Sequence, residues 1–589
     1  MASIPPNPIQ QQRGTRLNRL GSRYRMLWSL ALIGAGACGH AHAGAIVVGR
    51  GPSCTEPTLQ KAIDRAYRLP GFSLIILTDD VPDGVYRENV DVSSVPSGVS
   101  VEIAGGFDNC RDLQPTAFGK ASIYGGDAYA LEQHGRADLT LRGLWIEGSW
   151  GLGWNDASGG ELRLQNVTIN NIAGEGIRFF GSGGILRLQD TVVSNNGYGI
   201  VLRGGRTEFL GNVKVTGNEG IGVWVGRGAT FAIYGDGNEI RGNGIDGIQA
   251  VEGANAIEIA ASGPVLSHNG ELGLHVKVWG GNPTGNAVLY STDPTNPLTI
   301  SDNGLGAIRV GTPEPYRLCA RNVVLGGNNG RAIHADGPSV FVEMNGPLCE
   351  FPDAANVACP VVDEAHGCNR IVGNGRPGNP LVSAFTGARI DVHRTLFAYN
   401  TASSILSTNL GAATSSASIT LTDSVVTRNT VRDNLFESLR DGIVDIWDTT
   451  VFANAGPFQT SVVGIDPGLL QITNSILDQP QALAGIEGDA STTHFTNVLA
   501  RNSAGTSTGD RVIVDAPVYW DDLGRLDPDS PGVDSAPAGG GFDFAGNPRD
   551  IDTLDRVDVL GPRDIGAFEL QLTEIGRIFA DSFDFPRPR

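Results

Sequence analysis

Ile240-Arg241-Gly242-Asn243-Gly244-Ile245-Asp246-Gly247-Ile248-Gln249-Ala250-Val251 returns, 26 residues on, as Leu266-Ser267-His268-Asn269-Gly270-Glu271-Leu272-Gly273-Leu274-His275-Val276-Lys277. In both runs an apolar residue stands three places before an asparagine, and a short alternating strand follows. Working outward, the same unit recurs at Asn196, Asn218, Asn243, Asn269, Asn303, Asn328, Asn374, Asn400, Asn429 and Asn454. The intervals are 22, 25, 26, 34, 25, 46, 26, 29 and 25 residues. A period near 25 marks a stacked repeat, and its length suits one coil of three short strands. The two long intervals carry insertions.

Two other repeat architectures fail on the same residues. The leucines of a leucine-rich repeat are missing, and no amphipathic helix fills half of each unit. The nine-residue period of a calcium-binding β-roll is absent too. Valine, isoleucine, threonine and glycine dominate instead, as strands and turns require. The expected fold is all-β, a right-handed single-stranded parallel β-helix. Asparagine tolerates the left-handed backbone of a sharp bend, so the repeated asparagines read as bend formers whose side chains can ladder between coils. A second ladder, Asp190-Thr191, Asp423-Ser424, Asp448-Thr449 and Asn474-Ser475, carries the coils to about residue 505.

A solenoid must cover its open ends. Between Thr55 and Arg68, Leu59, Ala62, Ile63 and Ala66 form one apolar helical face, with Pro57 in the first turn and Pro70-Gly71 as the stop. This helix is expected to plug the N-terminal end.

Residues 1–43 read as an export signal. Arg13, Arg16, Arg19, Arg23 and Arg25 precede an apolar run from Met26 to Ala37, and Ala41-His42-Ala43 offers a cleavage site before Gly44. Cys38 raises lipidation as a rival, but Ala35-Gly36-Ala37 lacks the leucine usual at such sites. No later stretch is long and apolar enough to span a bilayer. The location expected is therefore outside the cytoplasm, secreted or at the cell surface. Cleavage after Ala43 leaves six cysteines, an even number that suggests disulfides in an exported chain. Cys54 and Cys110 flank the N-terminal region and are expected to pair. Cys319, Cys349, Cys359 and Cys368 cluster, and three pairings remain open. Removing the five signal arginines from 43 basic residues leaves 38 against 63 acidic ones, a net charge of −25. Such a chain repels nucleic acid and anionic membranes.

Tyr86-Arg87-Glu88-Asn89-Val90 and Gly105-Gly106-Phe107-Asp108-Asn109-Cys110, with the cysteine and helix before them, resemble secreted β-helix proteins of the pectin-lyase-like superfold. Asp529-Ser530-Pro531-Gly532-Val533-Asp534, then Gly546-Asn547-Pro548-Arg549, then Asp564-Ile565-Gly566-Ala567-Phe568-Glu569 resemble the C-terminal choice-of-anchor Q domain of such proteins. The expected organisation is a signal over 1–43, a cap and first coils over 44–110, the β-helix over 111–505, the C-terminal module over 506–570 and a tail over 571–589. The resemblance implies surface retention and leaves adhesins, lyases and hydrolases all open.

Each enzymatic option makes a demand on the residues. A glycoside hydrolase needs two carboxyl groups roughly 5–9.5 Å apart. Asp246 and Glu175 are the nearest echo, but at three coils' separation they stand about 14 Å apart. Asp521-Asp522 is adjacent in sequence, so its side chains point to opposite faces. A polysaccharide lyase needs a base, and the chain holds only Lys61, Lys120, Lys214 and Lys277 as lysines. One strand aligns across seven coils, and its outward residues include Arg178, Arg203, Trp224, Gln249, His275, Lys277, Arg309 and His334. A cationic and aromatic stripe on an acidic protein suits an acidic carbohydrate. His275 and Lys277 are the candidate base and acid, and the others are candidate binding residues. No cofactor is required. Calcium is conceivable at Asp543, Asp550, Asp552, Asp555 and Asp558, which lack the spacing of a calcium hand. The leading expectation is a non-enzymatic surface protein that presents this stripe to a polysaccharide or a cell-surface partner. The alternative is a secreted polysaccharide lyase, its cleft walled by the insertions near Gly280–Asn296 and Pro347–Cys368.

Overall fold

The computed structural model describes residues 45–570 apart from interruptions, the longest at 112–120, 278–284, 350–368, 410–415, 456–460, 479–485, 502–507, 520–523 and 552–559. The signal, Cys38, Lys120, Cys359, Cys368, Asp521, Asp522, Asp552, Asp555, Asp558 and the tail lie outside the described residues.

Alternating short strands make a parallel β-solenoid. One coil runs through Gly160–Gln165, Thr168–Ile172 and Glu175–Phe180, and the next begins at Ile185–Gln189. The strands stack into three parallel sheets. Among the described residues sheet A has 18 strands and holds Gly160–Gln165, sheet B holds Thr168–Ile172, and sheet C has 15 strands and holds Glu175–Phe180. Like stacks on like inside: Ile177, Ile200, Val223, Ile248, Leu274, Ile308 and Ile333 follow one another in strict register. All are buried, and one apolar core continues from Ile46 to Ala500.

The asparagine ladder is present, but the bend belongs to its neighbours. From Asn196 to Asn454, each Nδ2 donates to Oδ1 of the next asparagine at 2.8–3.2 Å. The left-handed conformation expected of these residues sits one place earlier. Asn195, Gly217, Gly242, His268, Asp302, Gly327, Gly373, Tyr399, Arg428 and Ala453 take φ between 53° and 65°. The reason is hydrogen bonding. With the bend just before it, the asparagine turns inward, where its amide caps backbone groups as well as the next amide. Asn243, for example, donates to Val215 O, and its own backbone N–H donates to Asn269 Oδ1. In the second ladder the bend does fall on the acidic or amide residue, with φ of 48° at Asp423, 49° at Asp448 and 47° at Asn474.

The N-terminal helix spans Leu59–Ala66 and buries the apolar face read from the sequence. Thr58 caps it by accepting from Lys61 N–H. The Glu88 carboxylate accepts the N–H groups of Leu59 and Gln60 at 3.0 and 3.1 Å, placing negative charge at the helix N-terminus. Cys54 bonds to Cys110, and Cys319 bonds to Cys349, one of the pairings left open.

The C-terminal segment does not sit on the end of the solenoid. It folds back as a strap along the outer face of sheet B. Arg549 reaches Asp423 at 2.6 Å, Arg563 reaches Asp448 at 2.9 Å, and Ala567 N–H donates to Thr450 Oγ1. Phe544 and Phe568 pack on Val425 and Phe452, while Val533, Ile565 and Leu570 pack with Ile476 and Leu499. Two acidic residues of the segment are buried and capped: Asp564 accepts the N–H groups of Asp534 and Leu570, and Glu569 accepts those of Ile551 and Asp564.

Part of the first long interval is ordinary coil. Gly285–Tyr290 is a sheet A strand paired with Ala256–Ala260 and with Tyr316–Arg321.

Candidate functional site

Sheet C carries the outward side chains singled out in the sequence, some exposed and some buried. Arg178, Val201, Trp224, Gln249, His275, Arg309 and His334 form one column in strict register. Two places on, Phe180 pairs with Arg203, and Val251 with Lys277. The stripe divides into two zones.

The first zone is a stack. The Arg178 guanidinium lies 4.5 Å from the centre of the Phe180 ring, Arg203 lies 4.8 Å from the same ring, and Arg203 is also 5.1 Å from the Trp224 ring. Arg178 pairs with Glu175 at 3.2 Å and donates to the Tyr129 hydroxyl at 2.9 Å. Burial holds the Glu175 carboxyl above its ordinary range, against the pull of Arg178 and Arg203. Stacking on two rings holds the Arg203 guanidinium, while the edge of Arg178 is paired with Glu175 and Tyr129.

The second zone is a cavity of about 350 Å³ bordered by His275, Lys277, Arg309 and the Asp336 carboxylate, with Thr312, Pro313 and Pro338 from the coil corners. Behind His275 lies Asp246, fully buried. Asp246 Oδ2 accepts from Gln249 Nε2 at 2.7 Å and contacts His275 Nδ1 at 2.9 Å, and Oδ1 accepts Leu272 N–H at 3.1 Å. A carboxylate only accepts hydrogen bonds, so Nδ1 carries the proton in this contact, and in the neutral ring the lone pair lies on Nε2. A buried acid that fixes the imidazole tautomer is the arrangement that makes histidine a directed base. Arg309, next to His275 in the column, and Lys277, on the same strand, bring positive charge to the cavity.

The stripe's other residues have different work. Gln249 faces outward, but its amide is taken by Asp246. His334 is buried against Phe385, with Nδ1 2.9 Å from Ser383 Oγ and ring centres 5.2 Å apart. Burial, then Arg331, Arg309 and His275, push its pKa down to about 3, so it stays neutral and contributes no charge. None of the described residues of the stretch expected to wall a cleft beside His275 borders this cavity, whose wall comes from the corners at Thr312–Pro313 and Pro338.

Asp543 and Asp550 have backbone partners. Asp543 accepts from Asn547 and Glu569 N–H groups, and Asp550 from Gly539 and Gly540. Among the described residues, two clusters have metal-like spacing, Cys54 with Asp80 and Cys110, and Cys319 with Glu343 and Cys349. Their sulfurs are joined as disulfides, so they offer no thiolate.

The partnership of Asp246 with His275 was missed from the sequence. A signal existed. In its corner column Asp246 lies between Ile221 and Leu272, both buried and apolar, so a carboxylate there needs a partner from an adjacent rung.

Fold and outer face together define a parallel β-helix repeat protein with one polar, aromatic and cationic flank. Residues 88–236 and 129–288 match the family described as right handed beta helix region. No curated protein matches the chain.

Proposed function

We propose that this chain is a carbohydrate-active β-helix protein that binds an acidic polysaccharide along sheet C and cleaves it by elimination at the His275 cavity. The carrying observation is the buried Asp246 held 2.9 Å from Nδ1 of His275, a residue that borders the cavity with Lys277, Arg309 and Asp336. The sequence favoured a non-enzymatic surface because Asp246 had no partner in reach, and the contact with His275 reverses that order. The β-helix family match supports the reading by suggesting the pectin-lyase-like superfold.

The chemistry balances without a redox partner. Arg309 and Lys277 pair with a uronate carboxylate, which makes the hydrogen on the adjacent ring carbon more acidic. His275 Nε2 takes that proton. The C–H electron pair becomes a ring double bond, and the bond to the glycosidic oxygen on the next carbon breaks. The leaving oxygen takes a proton from the Lys277 ammonium or from water. Export is part of the proposal: it is supported by the N-terminal arginines and apolar run and by the two disulfides, which suit an oxidising compartment. Among the described residues no helix is long and apolar enough to cross a membrane.

The test is to incubate the protein with a panel of polyuronates and follow unsaturated ends. Wild type should generate them, and His275→Ala should slow the reaction by about 10²–10⁴-fold, the span of general-base catalysis. Asp246→Asn should also slow it. If no acidic polysaccharide yields unsaturated ends, elimination is wrong. A second reading then takes over, a surface that holds glycans without cutting them, which the arginine–aromatic stack favours.

A further inference from the structure

Four aromatic rings share the N-terminal half of sheet C, and each lies over a glycine. A Cβ built on Gly153 would meet the Tyr129 ring at 2.9 Å, and one on Gly174 would meet the Trp150 ring at 2.6 Å. On Gly220 it would meet Tyr198 at 3.0 Å, and on Gly226 Trp224 at 2.5 Å. Any larger residue at these positions would push its ring away, so the glycines are the floor on which the rings rest. A ring lying on the sheet turns its other side outward. Trp150 keeps 37% of its surface exposed and Tyr198 43%.

The four rings lie in rows along the solenoid. Tyr129 and Trp150 are in register with centres 5.7 Å apart. Tyr198 follows two rungs beyond Trp150, and Trp224 lies on the next rung. The rung between Trp150 and Tyr198 holds Glu175, Arg178 and Phe180. Trp150 and His275 are five rungs apart, about 24 Å at the spacing of paired strands.

We propose that these rings form a saccharide-stacking platform, separate from the His275 cavity, that holds a polysaccharide along the long axis of the solenoid. Three features select this occupant. Ring faces at the surface match the apolar C–H faces of sugars, whereas protein hot spots insert side chains into pockets, and a row of surface rings offers none. The Arg203 guanidinium sits among the rings and suits hydroxyls and carboxylates. The row also continues on the same face into the His275 cavity. The inference rests on the reading of sheet C as a glycan-processing face and adds the form of the substrate: a polymer spanning at least five rungs, since a short oligosaccharide bound at His275 never reaches Trp150.

The experiment pairs polysaccharide binding with cleavage in the full chain. Trp150→Ala with Tyr198→Ala should weaken binding about 100-fold, roughly tenfold for each ring, and leave the urea midpoint unchanged. Gly174→Ala keeps every ring but lifts Trp150 from its floor, and should weaken binding about tenfold. His275→Ala should bind like wild type. Short oligosaccharides should be cleaved equally by wild type and the double variant. If the double variant binds every polysaccharide as tightly as wild type, the platform is overturned whether or not cleavage occurs. Failure of wild type to bind any polysaccharide overturns it as well. Binding that depends on the rings, without cleavage by wild type, supports the platform and counts only against elimination.

Discussion

Ala453 sits at φ 53° directly before Asn454, in the place glycine holds at Gly217, Gly242, Gly327 and Gly373. A Cβ in left-handed backbone costs about 1–2 kcal/mol, part of which glycine returns as chain entropy in the unfolded state. Ala453→Gly should therefore stabilise the protein by about 0.5–1 kcal/mol, read as a higher urea midpoint with unchanged slope. A midpoint that falls would mean that the bend is not strained. The period of the asparagines was legible because every coil needs the same inward amide. The position of the bend was not, since asparagine and the residue before it are both credible turn formers and only the ladder geometry separates them. Asp246 and His275 were hidden for a related reason. Their contact joins adjacent rungs through a corner, and strand alternation says nothing about corners.

At the scale of the element, the strap is held by buried charge. Burial pushes Asp448 up to about 6 against the opposing pull of Arg549 and Arg563. Burial also raises Asp543, Asp564 and Glu569. A carboxyl with a raised folded-state pKa contributes stability that is complete below its unfolded value, near 3.8 for Asp448, and is lost as pH rises through about 6. Glu161 and Glu208, held low by hydrogen bonds from Arg187 with Arg163 and Arg206, act in the opposite sense and lose their contribution only in stronger acid. Amide protection in the strap, corrected for intrinsic exchange, should therefore fall between about pH 5 and about pH 8 while the coils around Arg187 stay protected. Equal protection at both ends of that range would refute the account. The covering itself could be read from the sequence. One outward column of sheet B carries Thr168, Val192, Lys214 and Glu239 early, then becomes Leu396, Val425, Thr450, Ile476 and Leu499. An apolar outer face asks for a cover. What covers it was not legible, because the module's motifs read as an appended domain rather than as a return along the flank.

For the molecule as a whole, stacking makes the protein nearly one-dimensional, since each coil touches its neighbours and little else. The coil period and the end-plugging helix followed from this directly. The site did not, because a long face repeats its positions many times and chemistry needs only one of them to be occupied by the right pair.

The strap breaks the one-dimensional rule, and the break has a mechanical meaning. Its contacts run from Arg394, which donates to Phe544 O, through Asp423, Asp448 and Ile476 to Leu499, crossing five successive rungs. Pulled apart between Ile46 and Leu570, a bare solenoid would unwind coil by coil, releasing about 85 Å for each 25 residues. This one must first shed a fastener that grips five coils in parallel. A single-molecule stretching record should open with one tall rupture before any even staircase, and Arg549→Met should lower that first peak alone. The Cys319–Cys349 bond should later shorten one step by the length it locks, and a reducing agent should restore it. The strap thus makes the protein resist tension as a unit, a property that matters wherever one end of a fibre-like molecule is held and the other is loaded.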